Sequence, residues 1–216
     1  SRTITGTTAN LAMLKLKLEP FRQSDTVSIT LDSQTFRHIV DRGKEIYLTS
    51  TSGWRVAEKE DPKQKNAQRS GPFKDAFRHR MVFVYGTAGN AEEDQWAFNK
   101  ARYDAEVWYY RGNGAVDIIR DEDFDPKDFP DRGVILFGNA TTNSAWNQLL
   151  KDCPLQVYRD HIALGAQTFR GSDLGAYFIW PRPDGNTASV AVISGTGLAG
   201  SNATEANQYF AAGSGF

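Results

Sequence analysis

Three apolar runs of β character each stop at a loop of Gly, Thr and Asn: MVFVYGTAGN (Met81 to Asn90), VILFGNATTN (Val134 to Asn143) and SVAVISGTGLAG (Ser189 to Gly200). A helical pattern follows each of the first two, so the repeated unit is strand, loop, helix. Units of this kind place their loops together at one edge of a parallel sheet, and open sheets hold ligands at that edge. The arrangement locates a site without naming its chemistry.

Ahead of these runs the hydrophobic pattern has period two. Leu14, Leu16 and Leu18 alternate with Lys15 and Lys17, and Val27, Ile29 and Leu31 alternate with Ser28 and Thr30, as half-buried strands do. EIYLTSTSGW (Glu45 to Trp54) reads as a further strand, while the polar DSQTFRHIVDRGK reads as a loop or a short turn of helix. Residues 1–56 are therefore expected to form a small antiparallel β section, compatible with the tail of a larger β-domain. AEKEDPKQKNAQRSGP is charged, nearly devoid of apolar residues and carries two prolines, which makes 57–70 a solvated linker. The expectation for 71–216 is an α/β domain with a mainly parallel, flavodoxin- or Rossmann-like sheet and flanking helices.

Within that domain a helix is expected from about Glu92 to Tyr110, where Ala97, Ala101, Ala105 and Trp108 form a narrow stripe that can lie close to a sheet. VDIIRD is a second strand. A shorter helix, capped at Asn143-Ser144, runs through Leu150 and is stopped by Pro154. LQVYR, AYFIWP and SVAVIS complete the expected set, with a final helix over TEANQYFAA. Trp96, Phe98, Tyr103, Trp108, Tyr109 and Tyr110 all sit in the long helix and cannot share one face. Some of these rings must cover a neighbouring domain or a ligand. A carbohydrate-binding surface of Trp and Tyr is one reading, resting on composition alone.

Charge and cysteine usage exclude several classes. Lys plus Arg (25) nearly balance Asp plus Glu (26), so no overall field draws the chain to nucleic acid or to an anionic membrane. No apolar stretch approaches the roughly 20 residues of a membrane span. The single Cys153 rules out an intrachain disulfide and a Cys-rich zinc site, and a buried thiol is its ordinary role.

Gly195-Thr196-Gly197-Leu198-Ala199-Gly200 matches G-x-G-x-x-G after a strand, yet no acidic residue lies about twenty positions on to hold a ribose. A tight turn is the simpler account. Gly86 to Asn90 lacks the Gly-Lys-Ser/Thr ending of a phosphate loop, and Gly138 to Asn143 offers amides and hydroxyls without a general base. G-x-S-x-G is absent, and nothing in sequence pairs His38, His79 or His161 with a nucleophile. The acidic stretch Asp121 to Asp131 lacks the Gly and closing Glu of a calcium loop. No catalytic residue, metal ligand or cofactor is therefore assigned. The candidate ligand-binding residues are Gly86, Thr87, Asn90, Asn139, Thr142, Asn143, Gly195 and Gly197, suited to a small polar or sugar-like ligand. A nucleotide- or sugar-binding enzyme using these loops is the competing class.

GPFKDAFRHRMVFVYGT, WAFNKARYDAEVWYYRGNG, DRGVILFGNATTNSAWNQLL and SVAVISGTG together resemble the accessory module found beside prolyl-oligopeptidase-like and esterase-like α/β-hydrolase domains in large, often exported bacterial proteins. Gly71, Pro72, Ala76 and Phe77 match the first element of that pattern, and Leu136, Phe137, Gly138, Asn139 and Asn143 match the third. The resemblance covers about Gly71 to the end. It implies a Rossmann-like module without a reaction of its own, an adjoining hydrolase domain as partner and an extracytoplasmic location. The Ser, Asp and His of such a hydrolase belong to a segment this chain does not contain.

Overall fold

The computed structural model describes residues 2–50, 52–57, 59, 69, 72–78 and 80–206. The linker expected over 57–70 lies almost wholly outside the described residues, as do Gly71, His79 and the latter part of the helix expected over TEANQYFAA. The chain divides into two units, Ser1–Asp61 and Pro62–Phe216.

The first unit holds β1 (Thr3–Gly6), β2 (Met13–Lys17), β3 (Thr26–Leu31), β4 (Gln34–Ile39), β5 (Glu45–Ser50) and β6 (Trp54–Ala57). They form two three-stranded sheets, β1-β3-β4 and β2-β5-β6, around Leu18, Val27, Ile29, Leu31, Val40, Ile46, Leu48 and Trp54. The alternation at Val27, Ile29 and Leu31 points these three side chains into that core. Two expectations are corrected. The section is not purely antiparallel, because β1 pairs in parallel with β3. The polar stretch after Asp32 is not a loop: it turns at Asp32-Ser33, with Asp32 at φ 55°, and returns as β4 beside β3. Phe36 and His38 occupy the half-buried positions of β4, so its period-two signal is carried by two residues, one of them polar.

The second unit is built on a five-stranded sheet of order β13-β14-β9-β7-β8, where β7 is Val82–Tyr85, β8 Asp117–Arg120, β9 Val134–Phe137, β13 Gly175–Pro181 and β14 Ser189–Gly195. β8, β7, β9 and β14 run parallel, and β13 is antiparallel to β14. β9 and β14 are buried along their whole length, which is why they read as continuous apolar runs. Val82, Val84, Val134, Leu136, Val190 and Val192 face α2 (Ala145–Leu150) through Ala145, Trp146, Leu149 and Leu150. Phe83, Ile135, Phe137, Ala191 and Ile193 pack with Trp96, Ala97 and Ala101 of α1 (Ala91–Gly112). Asn90 caps α1 in a capping box with Glu93, and Asn113 ends it in the left-handed conformation.

The expected fold class is overturned. Fourteen strands in four sheets stand against three α-helices among the described residues, so the chain is mostly β and is not a helix-flanked α/β Rossmann or flavodoxin-like fold. Among the described residues only α1 is long enough to span a sheet face; α2 and α3 (Leu198–Ala203) have six residues each. Between β9 and β14 the short α2 is followed by a separate antiparallel sheet of β10 (Leu155–Val157), β11 (His161–Leu164) and β12 (Gln167–Arg170), and then by β13. LQVYR belongs to that sheet and AYFIWP to an antiparallel edge, so neither joins the parallel set. The deciding local signal is Gly165-Ala166, a two-residue hairpin loop with Gly165 at φ +57°.

Arg182, directly after β13, is fully buried and fastens the acidic connection to the sheet. Its guanidinium donates to the carbonyls of Pro126, Phe129 and Arg132 and to both carboxylate oxygens of Asp184. Replacing it by an apolar residue strands those carbonyls in the interior. Arg182→Met is expected to lower the unfolding free energy by about 3–5 kcal/mol, measured by urea denaturation.

Candidate functional site

The loops after β7, β9 and β14 meet at one end of the sheet, because the three strands are adjacent and parallel. Their polar groups are directed at each other. Asn139 donates from Nδ2 to the Gly195 carbonyl at 2.9 Å, and its Oδ1 accepts from the amides of Thr141 (2.9 Å) and Thr142 (3.2 Å). Asn143 donates to the carbonyls of Val84 and Phe137, both at 3.1 Å, and accepts from the Ala145 amide. Thr142 Oγ1 accepts from the Asn139 amide, and the Thr142 carbonyl accepts from the Ala88 amide. Asn139, Thr142 and Asn143 are all buried.

The remaining candidates have equally local duties. Thr87 Oγ1 donates to Asp121, whose second oxygen accepts from the Ser144 amide, so a buried carboxylate joins the first two loops. Asn90 is exposed and occupied as the cap of α1. At Gly86 an added Cβ would lie 2.2 Å from the Thr142 carbonyl oxygen, and at Gly195 it would lie 2.1 Å from the Ser201 amide nitrogen. These two glycines permit backbone to touch backbone. The dinucleotide-like glycine pattern is therefore accounted for by α3 folding back onto the end of β14, with the Thr196 amide donating to the Leu174 carbonyl. Gly197 is half-buried and its carbonyl accepts from the Ser201 amide. The structure thus brings Gly86, Thr87, Asn139, Thr142, Asn143 and Gly195 into one clasp, with Asn90 and Gly197 at its margins.

His38 is on β4 in the first unit, His161 on β11 stacks on Tyr158 with ring centroids 4.6 Å apart and hydrogen-bonds Asp160 at 2.7 Å. Cys153 is buried, which pushes its thiol above the usual range. Among the described residues no group of three His, Cys, Asp or Glu side chains is arranged to hold a metal, and no helix is long and apolar enough to cross a membrane.

A second region went unread in the sequence. On α1, Lys100 Nζ donates to Asp104 Oδ1 at 2.7 Å, with the two side chains only 5% and 4% exposed. They lie beside the Ala97 and Ala101 stripe, and an i, i+4 charge pair on that buried side of the helix was the available signal. Trp96 Nε1 donates to Glu205 Oε1 at 3.2 Å, and the Tyr177 hydroxyl donates to the Thr204 carbonyl. Asn99, Lys100, Arg102, Tyr103 and Glu205 line a cavity of about 430 Å³. Burial pushes the Asp104 carboxyl up to about 6, against the pull of Lys100, and the Glu205 charge adds to the rise. Burial likewise raises the Tyr177 hydroxyl above its usual range.

No protein-family model matches the chain, and no curated protein matches it.

Two outcomes follow. Asn143→Ala leaves the Val84 and Phe137 carbonyls without their donor and is expected to cost about 1–3 kcal/mol in urea denaturation, as unpaired buried polar groups do. Between about pH 4 and pH 6 the folded chain keeps a proton on Asp104 that the unfolded chain has released, so this group's contribution to stability falls as pH rises through that window and is level above it. Comparing wild type with Asp104→Asn, the difference in unfolding free energy is expected to move in the variant's favour from about pH 4 to pH 6 and to stay constant from about pH 7.

Proposed function

We propose that this chain is an accessory, non-catalytic segment of a bacterial exported hydrolase of the serine esterase or peptidase type, and that it works by docking to the adjoining hydrolase domain. The hydrolase setting and the extracytoplasmic location rest on the resemblance of Gly71 onward to the modules found beside such domains. The observation that carries the docking role is the division of labour on the second unit. The loop edge spends its amides and hydroxyls on the strand ends, whereas the outer side of α1 exposes Tyr103, Tyr109 and Tyr110. Tyr109 borders a shallow groove of 260 Å³ with Ala105, Val116 and Ile118, next to β8, the edge strand of the five-stranded sheet. Exposed aromatics beside an apolar groove and a strand edge are the surface features that partner proteins use. A bond-breaking or nucleotide-binding site at the loop edge finds less support, because Asn139, Thr142 and Asn143 would have to give up strand contacts to hold a ligand.

The test has two parts. Incubation with p-nitrophenyl acetate or butyrate is expected to give no turnover above buffer, and saturable hydrolysis would overturn the non-catalytic reading. In the parent protein, Tyr109→Ser with Tyr110→Ser is expected to leave the unfolding midpoint of this chain unchanged and to weaken association with the hydrolase domain, titrated calorimetrically, by about tenfold or more, as loss of interface tyrosines does. Unchanged affinity would remove this face from consideration.

A further inference from the structure

We propose that the cavity beside the middle of α1 is a binding site for a neutral polyhydroxylated ligand, a mono- or disaccharide in chemical class. Its volume of about 430 Å³ falls in the range of small-molecule sites, about 300–1,000 Å³. The lining decides the chemistry. Lys100 and Arg102 contribute positive charge, and Glu205 contributes negative charge, with Asp104 and Glu106 immediately behind the two cations at 2.7 and 3.7 Å. An anionic ligand would meet the Glu205 carboxylate, and a cationic one would meet both Lys100 and Arg102. Charges of both signs among the described lining residues favour a ligand whose groups both donate and accept hydrogen bonds, and the hydroxyls of a sugar do both.

The geometry suits that class in two further respects. Glu205 is held by the Trp96 indole N–H at 3.2 Å, which orients a carboxylate to accept from neighbouring hydroxyls, a charge-assisted and therefore strong contact. Tyr103 is 57% exposed and supplies an aromatic ring to the cavity wall, with the Lys100 ammonium 5.8 Å from the ring centroid. The negative face of an aromatic ring attracts the slightly positive C–H bonds on the flat side of a pyranose, by the same quadrupole that draws cations. Asn99 adds an amide able to donate and accept. The cavity adjoins the docking groove through Arg102, which borders both, but Tyr109 and Tyr110 are not among the described residues that line the cavity, so variants at Tyr109 and Tyr110 test the docking face and variants at Tyr103 and Glu205 test this site.

The experiment is isothermal titration of the full chain with D-glucose, D-galactose, N-acetyl-D-glucosamine and cellobiose, each paired with saturation-transfer NMR. At least one of the four is expected to bind saturably. Tyr103→Ala and Glu205→Gln are each expected to weaken that binding by about tenfold, the size of one charge-assisted hydrogen bond, with unfolding midpoints unchanged, while Tyr110→Ala leaves it as it was. Absence of binding by all four sugars, or binding that survives both cavity variants, overturns the proposal. Saturable binding of inorganic phosphate or acetate in place of the sugars overturns it as well, because that would mark a site of net positive charge.

Discussion

The polar clasp of Asn139, Thr142 and Asn143 is the interaction on which the second unit depends. β9 and β14 are buried on both faces, so no alternation of polar and apolar residues distinguishes one register from the next. Apolar burial pulls such strands together without saying where along their length they should stop. Directional bonds at their ends supply that information: Asn143 spans β7 and β9 through the Val84 and Phe137 carbonyls, and Asn139 ties the end of β9 to that of β14 through the Gly195 carbonyl. A slip by one residue would break these bonds together and leave carbonyls unpaired in the interior.

The same clasp engages the amides and hydroxyls of this edge with the strand ends. Each asparagine uses both ends of its amide, and Asp121 uses both carboxylate oxygens, on Thr87 and on the Ser144 amide. Gly86 and Gly195 close the remaining space by letting backbone approach backbone. Among the described residues α1 is the one helix that spans a face of the sheet. Its inner stripe of alanines is small enough to let the helix lie close, with Trp96 buried beside them, while Tyr103, Tyr109 and Tyr110 stay exposed on its other side.

Much of this was legible in the residues and some was not. The three apolar runs and the alanine stripe of α1 follow directly from periodicity. The misreadings share a physical cause, which is that a strand's partner is decided at long range. LQVYR and AYFIWP look alike as isolated β segments, and only Gly165-Ala166 marks the hairpin that takes the first of them out of the main sheet. β4 is masked in the sequence because a polar His38 shares the inward side with Phe36 while the apolar Ile39 faces outward, which breaks the alternation that signals a strand. The candidate loop residues could be listed from sequence, but whether an asparagine faces a ligand or a carbonyl is settled by the neighbouring strand.

The Lys100–Asp104 pair is hard to explain by stability. Two charges taken out of water lose hydration that their attraction only partly restores, and well-packed apolar residues of similar volume commonly serve as well or better. The pair sits next to alanines on a helix that has apolar contact with the sheet. Asp104 is held so unfavourably that its carboxyl titrates near 6 even with an ammonium 2.7 Å away. Perturbed acids of this kind collect where a protein holds a ligand or moves a proton, and here the perturbed acid lies behind a cavity whose wall includes its own partner. Lys100 held by Asp104 presents a fixed donor, whereas an unpaired lysine at the same position would be mobile and would turn the lining positive. The buried pair thus fixes an ammonium in a wall whose described charges are of both signs.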